Sequence, residues 1–375
     1  MDIVRPGTSG EMAVALRQAA ESGKTVRLGG SFTKDGMGGP AVAGDVRLTT
    51  CAMTRVLQYE PKDLTISVEA GMPWARLSEL LAQNGQMIPL DPPFFDHATV
   101  GGVLAANTCG PRRRLYGTAR DVVIGMEFAT LGGKVVQSGG MVVKNVAGLD
   151  MAKLLIGSFG TLAAITSANF KLTPCPESSA TWVLRFDNEA APLEAAARIR
   201  AGVLRPSALD ILNPEASDRI GVRGWTLLIE AGGVPAVLGR YSRELADAAI
   251  RLAPDEATRL WTAVRELIPG FLTEHPDGSV LRITTPLKEI GKALRRYPGS
   301  AALCRAGSGV TWVCAESQVS VKASADAVLE FAPESVRASS TLWEPPKPVF
   351  DVMKELKGLF DPKGLLNPGR LYGRI

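Results

Sequence analysis

The sequence predicts an α+β protein, because segments with helical spacing and segments with strand alternation both occur along the chain. Residues 11–20 place apolar side chains at helical spacing, whereas residues 64–70 alternate apolar and polar side chains as a half-buried strand does. A chain of 375 residues is long enough for about two domains, each with a core of its own. We therefore expect two domains that both mix helices and sheet.

The first part of the chain connects short predicted elements through glycine-bearing turns. Strands are predicted at 25–28, 46–50, 64–70, 122–130, 134–138 and 163–173. Pro73 opens a predicted helix that stops near Gly85, and Asp150 caps another that ends near Gly157. The chain thus passes from one glycine turn to the next through short elements.

A proline-containing polar stretch at 175–179 is the clearest domain boundary. Beyond it, strands are predicted at 181–186, 208–212, 226–230, 281–285, 301–305 and 310–315. Helices predicted at 190–200 and 235–252 complete a pattern typical of helices on an antiparallel sheet. A helix near 350–359 and a tail rich in proline and glycine follow. The predicted domains are residues 1–175 and 180–318, and residues 319–375 are predicted to form a C-terminal segment.

Composition excludes several classes of function. A net charge of +4 on 375 residues is mildly basic and does not favour nucleic acid as a partner. Five scattered cysteines without a CxxC pair suggest neither a zinc site nor a cluster, and they read as reduced cytosolic thiols. The start of the sequence lacks a signal-peptide pattern, and no apolar run is long enough to span a bilayer. We expect a cytoplasmic protein whose membrane contact, if any, comes through a partner.

Several glycine turns between residues 29 and 162 suggest a long ligand laid across many main-chain bends, such as a dinucleotide. They are Gly29-Gly30, Thr99-Val100-Gly101-Gly102, Tyr116-Gly117 and the turn at 157–162. Glycine lets the backbone approach a ligand closely, and free N–H groups beside it form anion-binding nests. The first turn is either a flexible surface loop or a phosphate cradle that adds Ser31, Thr33 and Lys34. It is neither a Rossmann GxGxxG nor a P-loop.

Three further features have two interpretations each. The run Arg112-Arg113-Arg114 is a solvated charge cluster, or it faces a cofactor phosphate or a partner surface. His97 is a hydrogen-bonding loop residue or a chemical participant. Asn367, which precedes a proline, belongs to a simple terminal turn or aims its amide at a ligand.

In combination, these motifs resemble the FAD-linked oxidases of the vanillyl-alcohol-oxidase type, also called the PCMH-type FAD-binding fold. The resemblance is dense over the first 175 residues and is found again in the last 20. The combination of these turns is what is specific to the family. Within the family, the chain is most similar to FAD-binding subunits of bacterial glycolate oxidases. The residues that carry it are Gly29-Gly30, Ala98-Thr99-Val100-Gly101-Gly102, Tyr116-Gly117, the segment 144–150, the turn at 157–162 and Leu366-Asn367-Pro368-Gly369.

The resemblance implies that residues 1–175 form two α+β subdomains with FAD between them. It further implies an α+β cap domain at 180–318 on the substrate side and a C-terminal segment that returns to the flavin. The loop at 29–34 would take the pyrophosphate, and the turn at 157–162 with Ile165 would hold the adenosine half. The implied cofactor-binding residues are Gly29, Gly30, Ser31, Thr33, Lys34, Thr99, Gly101, Gly102, Ala105, Ala106, Asn107, Tyr116, Gly117, Gly157, Gly160, Thr161, Ile165 and Asn367.

The sequence departs from relatives in two respects. Some relatives bind FAD covalently through a histidine in the first loop, and because that loop here is Gly-Gly-Ser-Phe-Thr-Lys, noncovalent FAD is expected. Related 2-hydroxy-acid dehydrogenases carry a metal motif, HxGDGNxH, but this chain has only His97 and His275, far apart. No metal site and no catalytic base can therefore be assigned, although a hydroxy acid that loses hydride must also give up its hydroxyl proton.

Three functions follow as hypotheses. The first is an FAD-binding subunit of a glycolate oxidase (dehydrogenase) complex, which oxidises glycolate to glyoxylate together with a larger FAD-linked subunit and an iron–sulfur subunit. The second is a self-sufficient flavin oxidase or dehydrogenase for another small alcohol or 2-hydroxy acid, with Tyr116, Arg114 or His97 as substrate contacts. The third is a scaffold subunit that has lost FAD.

Overall fold

In a computed structural model, the chain divides into two compact units that interleave along the sequence. The described residues are 3–40, 43–141, 149–245, 249–317 and 321–375. The first unit contains Met1–Cys109, Thr118–Cys175 and Glu334–Ile375, and the second contains Gly110–Gly117 and Pro176–Pro333. Both units combine helices with sheet, so the predicted α+β class is confirmed.

A three-stranded parallel sheet opens the first unit. It contains β1 (Ile3–Val4), β2 (Val26–Gly29) and β3 (Val46–Thr49), in the order β1-β3-β2. Helix α1 (Ser9–Glu21) begins where the Thr8 hydroxyl accepts the Glu11 N–H. Its apolar stripe packs on this sheet, so β2 is held in place up to the glycine that ends it.

A five-stranded antiparallel sheet is the second layer of the first unit. Its strands are β4 (Val56–Glu60), β5 (Thr65–Glu69), β7 (Val123–Ala129), β8 (Val135–Gly139) and β9 (Ala164–Lys171), in the order β4-β5-β9-β7-β8. A two-stranded pair, β6 (Gln86–Met87) with β10 (Thr173–Pro174), lies beside it. The hairpin predicted at 122–138 is confirmed as β7 and β8.

Among the described residues, the first unit has six further α-helices, and the first four contribute apolar residues to the core against this sheet. They are α2 (Trp74–Ala82), α3 (Val100–Ala106), α5 (Ala119–Val122), α6 (Met151–Leu155), α13 (Glu334–Ser339) and α14 (Lys347–Phe360). Trp74 and Phe170 meet edge-on, with ring centroids 6.3 Å apart, at the centre of the core. The expected cap of α6 is confirmed, because the Asp150 carboxylate accepts the Lys153 N–H at 3.1 Å.

The second unit is built on one eight-stranded antiparallel sheet. Its strands are β11 (Ser178–Phe186), β12 (Ala208–Leu212), β13 (Trp225–Gly233), β14 (Ala249–Arg251), β15 (Ser279–Thr284), β16 (Ala301–Arg305), β17 (Val310–Ala315) and β18 (Ala327–Phe331), in the order β14-β11-β13-β12-β16-β17-β15-β18. Its helices are α4 (Arg113–Tyr116), α7 (Ala190–Ala201), α8 (Pro214–Arg219), α9 (Pro235–Leu245), α10 (Pro254–Arg265), α11 (Leu267–Glu274) and α12 (Ile290–Leu294).

Three sequence-based expectations differ from the structure. The helix expected to run to residue 252 ends at Leu245, because Ala249–Arg251 pairs with β11 as an edge strand. Residues 319–333 group with the second unit, since β18 completes its sheet, whereas the C-terminal segment was expected to start at 319. The turn expected at 99–102 is the capped start of helix α3.

Two further observations complete the description of the fold. Residues 144–148 of the motif at 144–150 lie outside the described residues. Within the part of the chain that is described, no helix is both long enough and apolar enough to cross a bilayer.

Candidate functional site

A cleft opens in the first unit where β2 ends. Its outer part has an empty volume of about 560 Å³. Ten of the residues expected at a cofactor line this outer part, namely Gly29, Gly30, Ser31, Thr33, Lys34, Thr99, Gly102, Ala105, Ala106 and Asn367. A deeper part of about 370 Å³ adds Gly101, Gly160 and Ile165. The structure thus brings together residues from four separate stretches of sequence.

The loop at 30–33 presents hydrogen-bond donors that none of the described residues accepts. Among the described residues, no acceptor lies within hydrogen-bond distance of the main-chain N–H groups of Gly30, Ser31, Phe32 or Thr33. The same loop is anchored elsewhere, because the Gly30 carbonyl accepts from the Thr49 hydroxyl at 2.8 Å and the Ser31 hydroxyl donates to the His97 carbonyl. Consecutive free N–H groups on an anchored loop form an anion-binding nest.

Two glycines are required for the loop to take this shape. A Cβ atom on Gly30 would stand 2.0 Å from the Thr99 hydroxyl oxygen. A Cβ atom on Gly29 would lie 2.6 Å from the ring of Phe32, which itself has a left-handed backbone conformation with φ 58°. A side chain at Gly30 would force the loop away from the start of α3, and a side chain at Gly29 would displace the Phe32 ring within the loop.

Helix α3 contributes walls to the cleft and few donors. Thr99 accepts the Gly102 N–H at 3.3 Å as the N-cap, while the Val100 and Gly101 N–H groups donate to the carbonyls of Met72 and Ala70 at 3.0 and 2.7 Å. The first-turn donors are therefore already satisfied within the protein. The free N–H groups of the cleft come from the β2 loop.

Asn367 joins three segments beside the cleft. Its Oδ1 accepts the Leu28 N–H at 2.8 Å, and its Nδ2 donates to the carbonyls of Leu28 at 3.0 Å and Phe159 at 2.9 Å. The amide therefore pairs with β2 as a neighbouring strand would and ties the 157–162 turn to it. These protein contacts occupy both ends of the amide, which we expected to aim at a ligand.

A buried ion pair fixes the tail that carries Asn367. Lys357, near the end of α14, donates to the carboxylate of Asp361 at 2.6 Å and to the carbonyls of Thr161 at 2.7 Å and Leu366 at 3.0 Å. Asp361 in turn accepts the N–H groups of Leu365 and Leu366. Burial lowers the pKa of Lys357, while Asp361 opposes that shift. The pair holds α14, the tail and the 157–162 turn together.

The remaining expected residues have other positions. Asn107 ends α3 in a left-handed conformation, and the Gly157 N–H donates to the Leu104 carbonyl at 3.0 Å. The Thr161 hydroxyl donates to the Ser158 carbonyl at 2.7 Å. These three residues shape the 157–162 turn and do not line the cleft. Tyr116 and Gly117 belong to the second unit.

Sequence reasoning did not find five residues at or behind the cleft. Phe32, Arg27 and Arg370 line its outer part, Thr50 lines its deeper part, and Lys357 supports it from behind. Phe32 lies within the loop motif Gly-Gly-Ser-Phe-Thr-Lys, so its proximity to the site was visible in the sequence. Arg27 lies on β2, Thr50 follows β3, Lys357 lies on α14 and Arg370 lies in the tail, and the spacing around these four residues carries no functional pattern.

The second unit contains buried charges of its own. Asp210 on β12 is fully buried and pairs with Arg305 on the adjacent strand β16. Burial raises the pKa of Asp210 to about 6, although Arg305 acts in the opposite direction. Arg112 also belongs to this unit, where it pairs with Glu230 at 3.1 Å, so it is not a simple solvated charge. In the described residues, no group of three or more metal-ligand side chains occurs.

Comparisons with known proteins identify the class of this cleft. Residues 2–139 match the family model described as an FAD binding domain, and residues 342–371 match the C-terminal domain of FAD linked oxidases. The matched segments include β2, its loop, α3 and the tail with Asn367 and Arg370. The chain is similar to the FAD-linked oxidases in both segments, and it is an FAD-dependent oxidoreductase.

Similar proteins give a more specific relationship. Glycolate oxidase subunit GlcE of Escherichia coli is 29% identical over 96% of each chain, and subunit GlcD of Bacillus subtilis is 26% identical over 99% of this chain and 89% of that one. A mitochondrial cytochrome-linked D-lactate dehydrogenase of Arabidopsis thaliana is 25% identical over 88% of this chain and 66% of its own length. This protein is related to glycolate oxidase subunits and D-lactate dehydrogenases.

A solved structure of p-cresol methylhydroxylase with substrate bound shares the fold. It matches with a TM-score of 0.77 and 14% identity, over 99% of this chain and 88% of that one. The fold is therefore of the PCMH type, as the sequence predicted.

The cleft residues fit FAD chemically. A diphosphate needs several N–H donors and room for close main-chain approach, and the loop at 30–33 provides both. The deeper part is lined mainly by small and apolar residues, which suits a nucleobase or a flavin ring.

Proposed function

We propose that this protein is the FAD-binding subunit of a glycolate oxidase (dehydrogenase) complex that converts glycolate to glyoxylate. Its partners in this proposal are a larger FAD-linked subunit and an iron–sulfur subunit, and the complex works in the cytoplasm or at a membrane to which those partners attach it. The observation that carries the proposal is similarity to glycolate oxidase subunit GlcE over 96% of both chains. The cleft, whose loop offers N–H donors to a diphosphate, supports the proposal.

In this proposal, the chain's residues bind and orient the cofactor. The N–H groups at 30–33 donate to its diphosphate, and the walls formed by α3 and the 157–162 turn exclude water from its rings. When bound, FAD accepts the electron pair that the alcohol carbon gives up. Without a histidine in the loop, we propose that the flavin is held noncovalently.

We further propose that glycolate is oxidised mainly on the larger subunit. Oxidation of a hydroxy acid requires a base for its hydroxyl proton. The two histidines lie at 97 and 275, and the sequence lacks the HxGDGNxH motif of related dehydrogenases. FAD in this chain would then pass electrons onward or support assembly.

The test is a flavin spectrum of the chain purified alone and with its co-expressed partners. We expect the isolated chain to be yellow, to release its flavin into the supernatant on acid precipitation, and to stay oxidised when glycolate is added without oxygen. The assembled complex should be bleached by glycolate. Rapid bleaching of the isolated chain by glycolate would contradict the division of labour, and a flavin that remains in the acid pellet would contradict noncovalent binding.

A self-sufficient dehydrogenase of another 2-hydroxy acid is the second candidate. The observation that favours it is similarity to a D-lactate dehydrogenase, whose name describes a single enzyme. It is distinguished by adding D-lactate to the isolated chain, because only this candidate expects bleaching without partners. A chain that carries no flavin at all would instead indicate the scaffold function.

A further inference from the structure

We propose that Arg370 is a positioning residue for the cofactor diphosphate. Arg370 fixes residues 34–39, which follow the loop with the free N–H groups, and Arg337 supports it. The inference rests on the proposed binding of FAD in this cleft. It adds two residues that no glycine motif indicates.

Arg370 holds the carbonyl groups of the loop. Its guanidinium donates to the carbonyls of Gly39 at 2.6 Å, Lys34 at 3.1 Å and Asp35 at 3.2 Å. Arg337 on α13 donates to two of the same carbonyls, Gly39 at 2.8 Å and Asp35 at 3.1 Å. The two cations therefore bind the carbonyl groups at 34–39, directly after the residues whose N–H groups have no acceptor in the described part of the chain.

The tail and the loop are in such close contact that neither can move alone. The Gly39 N–H donates to the Arg370 carbonyl at 3.0 Å. A Cβ atom on Gly39 would stand 1.8 Å from the Gly369 carbonyl oxygen. A change in the position of Arg370 is therefore transmitted to the loop.

Positive charge accumulates behind the cleft. Arg27, Arg337 and Arg370 lie around the carboxylate of Asp35, which pairs with Arg27, while Glu334 acts on Arg337. Burial lowers the pKa of Arg370 to about 10, and the two neighbouring arginines act in the same direction. Buried cations in excess of their counter-ions are costly unless an anion joins them. Arg370 also lines the cleft, so a bound diphosphate would bring negative charge close to it.

The experiment compares parent, R370M, R370K and R337M, with R76M as the control because Arg76 is an exposed arginine of the same unit. Apoprotein is prepared from each, its folding is checked by thermal unfolding, and FAD is titrated by quenching of flavin fluorescence. Inorganic pyrophosphate is titrated in parallel through its effect on the unfolding temperature. The pyrophosphate readout isolates the diphosphate from the rest of the cofactor.

We expect R370M to weaken FAD by about tenfold to a hundredfold and to lose the pyrophosphate shift, since several charge-assisted hydrogen bonds disappear. R337M should weaken FAD by a smaller factor. R370K keeps the charge but cannot reach three carbonyls at once, so it should recover only part of the affinity. R76M should match the parent.

Each contrary result has a separate meaning. A folded R370M that binds FAD and pyrophosphate as the parent does overturns the inference, and so does an R370K that recovers full affinity, because charge alone would then suffice. If R370M does not fold, R370K is tested in its place, and an FAD affinity equal to that of the parent would overturn the inference. A parent that binds neither FAD nor pyrophosphate overturns the proposed function and this inference with it.

Discussion

Asn367 illustrates how one side chain can replace main chain. β2 has β3 on one edge, and on its other edge Leu28 finds an amide side chain in place of a strand. The left-handed backbone of Asn367, with φ 45°, is a conformation that asparagine tolerates better than most residues. The left-handed backbone at position 367 and the hydrogen bonds made by the side-chain amide therefore both favour asparagine there.

Replacing this amide by a carboxylate should destabilise the first unit. In N367D, an oxygen would face the carbonyls of Leu28 and Phe159, so we expect the free energy of unfolding to fall by about 2–4 kcal/mol. Urea unfolding measures the change. N188D is the matched control, because Asn188 uses only its oxygen, as the acceptor for the Ala191 N–H. Equal stabilities of N367D and N188D would contradict the role of Asn367.

Asp210 is the residue whose burial should be visible in the pH dependence of stability. Its pKa is raised from 3.8 to about 6 in the folded protein, so between these pH values the folded state keeps a proton that the unfolded state has released. The unfolded state binds fewer protons there, and stability from this group must fall as pH rises. Above about pH 6 both states are ionised and the contribution is constant.

The D210N variant removes this titration. Relative to the parent, it should gain stability by up to roughly 3 kcal/mol as the pH rises from about 4 to about 7. Urea midpoints at intervals across this range measure the difference, with D218N on the exposed side of α8 as the control. Parallel pH curves for D210N and parent would show that Asp210 does not titrate as its burial requires.

At the scale of elements, the β2 loop and helix α3 form the cleft together. The loop supplies free N–H groups, and α3 supplies a wall that approaches Gly30 too closely for any side chain. The sequence predicted both glycine clusters. It described residues 99–102 as a turn, because glycines are rare within helices, whereas here the Thr99 cap and contacts to Ala70 favour a helix.

The G30A variant tests this close approach. Because its Cβ would stand 2.0 Å from the Thr99 hydroxyl oxygen, the loop must shift, and we expect FAD affinity to fall by at least about tenfold. Fluorescence titration of apoprotein with FAD measures it. G132A is the control, since its Cβ would lie 3.8 Å from the nearest atom outside its own neighbours. If G30A binds FAD as tightly as G132A, the loop has room that the structure does not indicate.

At the scale of the whole molecule, the last forty or so residues complete the first unit. The tail adds a bridge at Leu366 to β2, the amide of Asn367, and the cations that hold the loop. The eight strands of the second unit all lie within Pro176–Pro333 and require none of these contacts. The first unit therefore depends on the tail more than the second unit does.

Truncation after Pro333 should separate these dependencies. We expect amide hydrogens of β2 and its loop to exchange faster by at least about tenfold, because their partners at 365–370 are lost. Peptides from β12, β13 and β16 should keep their protection. Hydrogen exchange followed by mass spectrometry measures both. Unchanged protection of β2 in the truncated chain would show that the tail is dispensable.

The sequence by itself determined the α+β class, most strand positions and the glycine turns that resemble those of FAD-linked oxidases, because these depend on local periodicity and on residues without side chains. Tertiary structure alone decided that Asn367 pairs with Leu28, that Arg370 and Arg337 hold the loop carbonyls, and that Asp210 is buried beside Arg305. It also made residues 249–251 an edge strand. Each of these outcomes depends on partners far apart in sequence, and local spacing contains no information about which distant groups will meet.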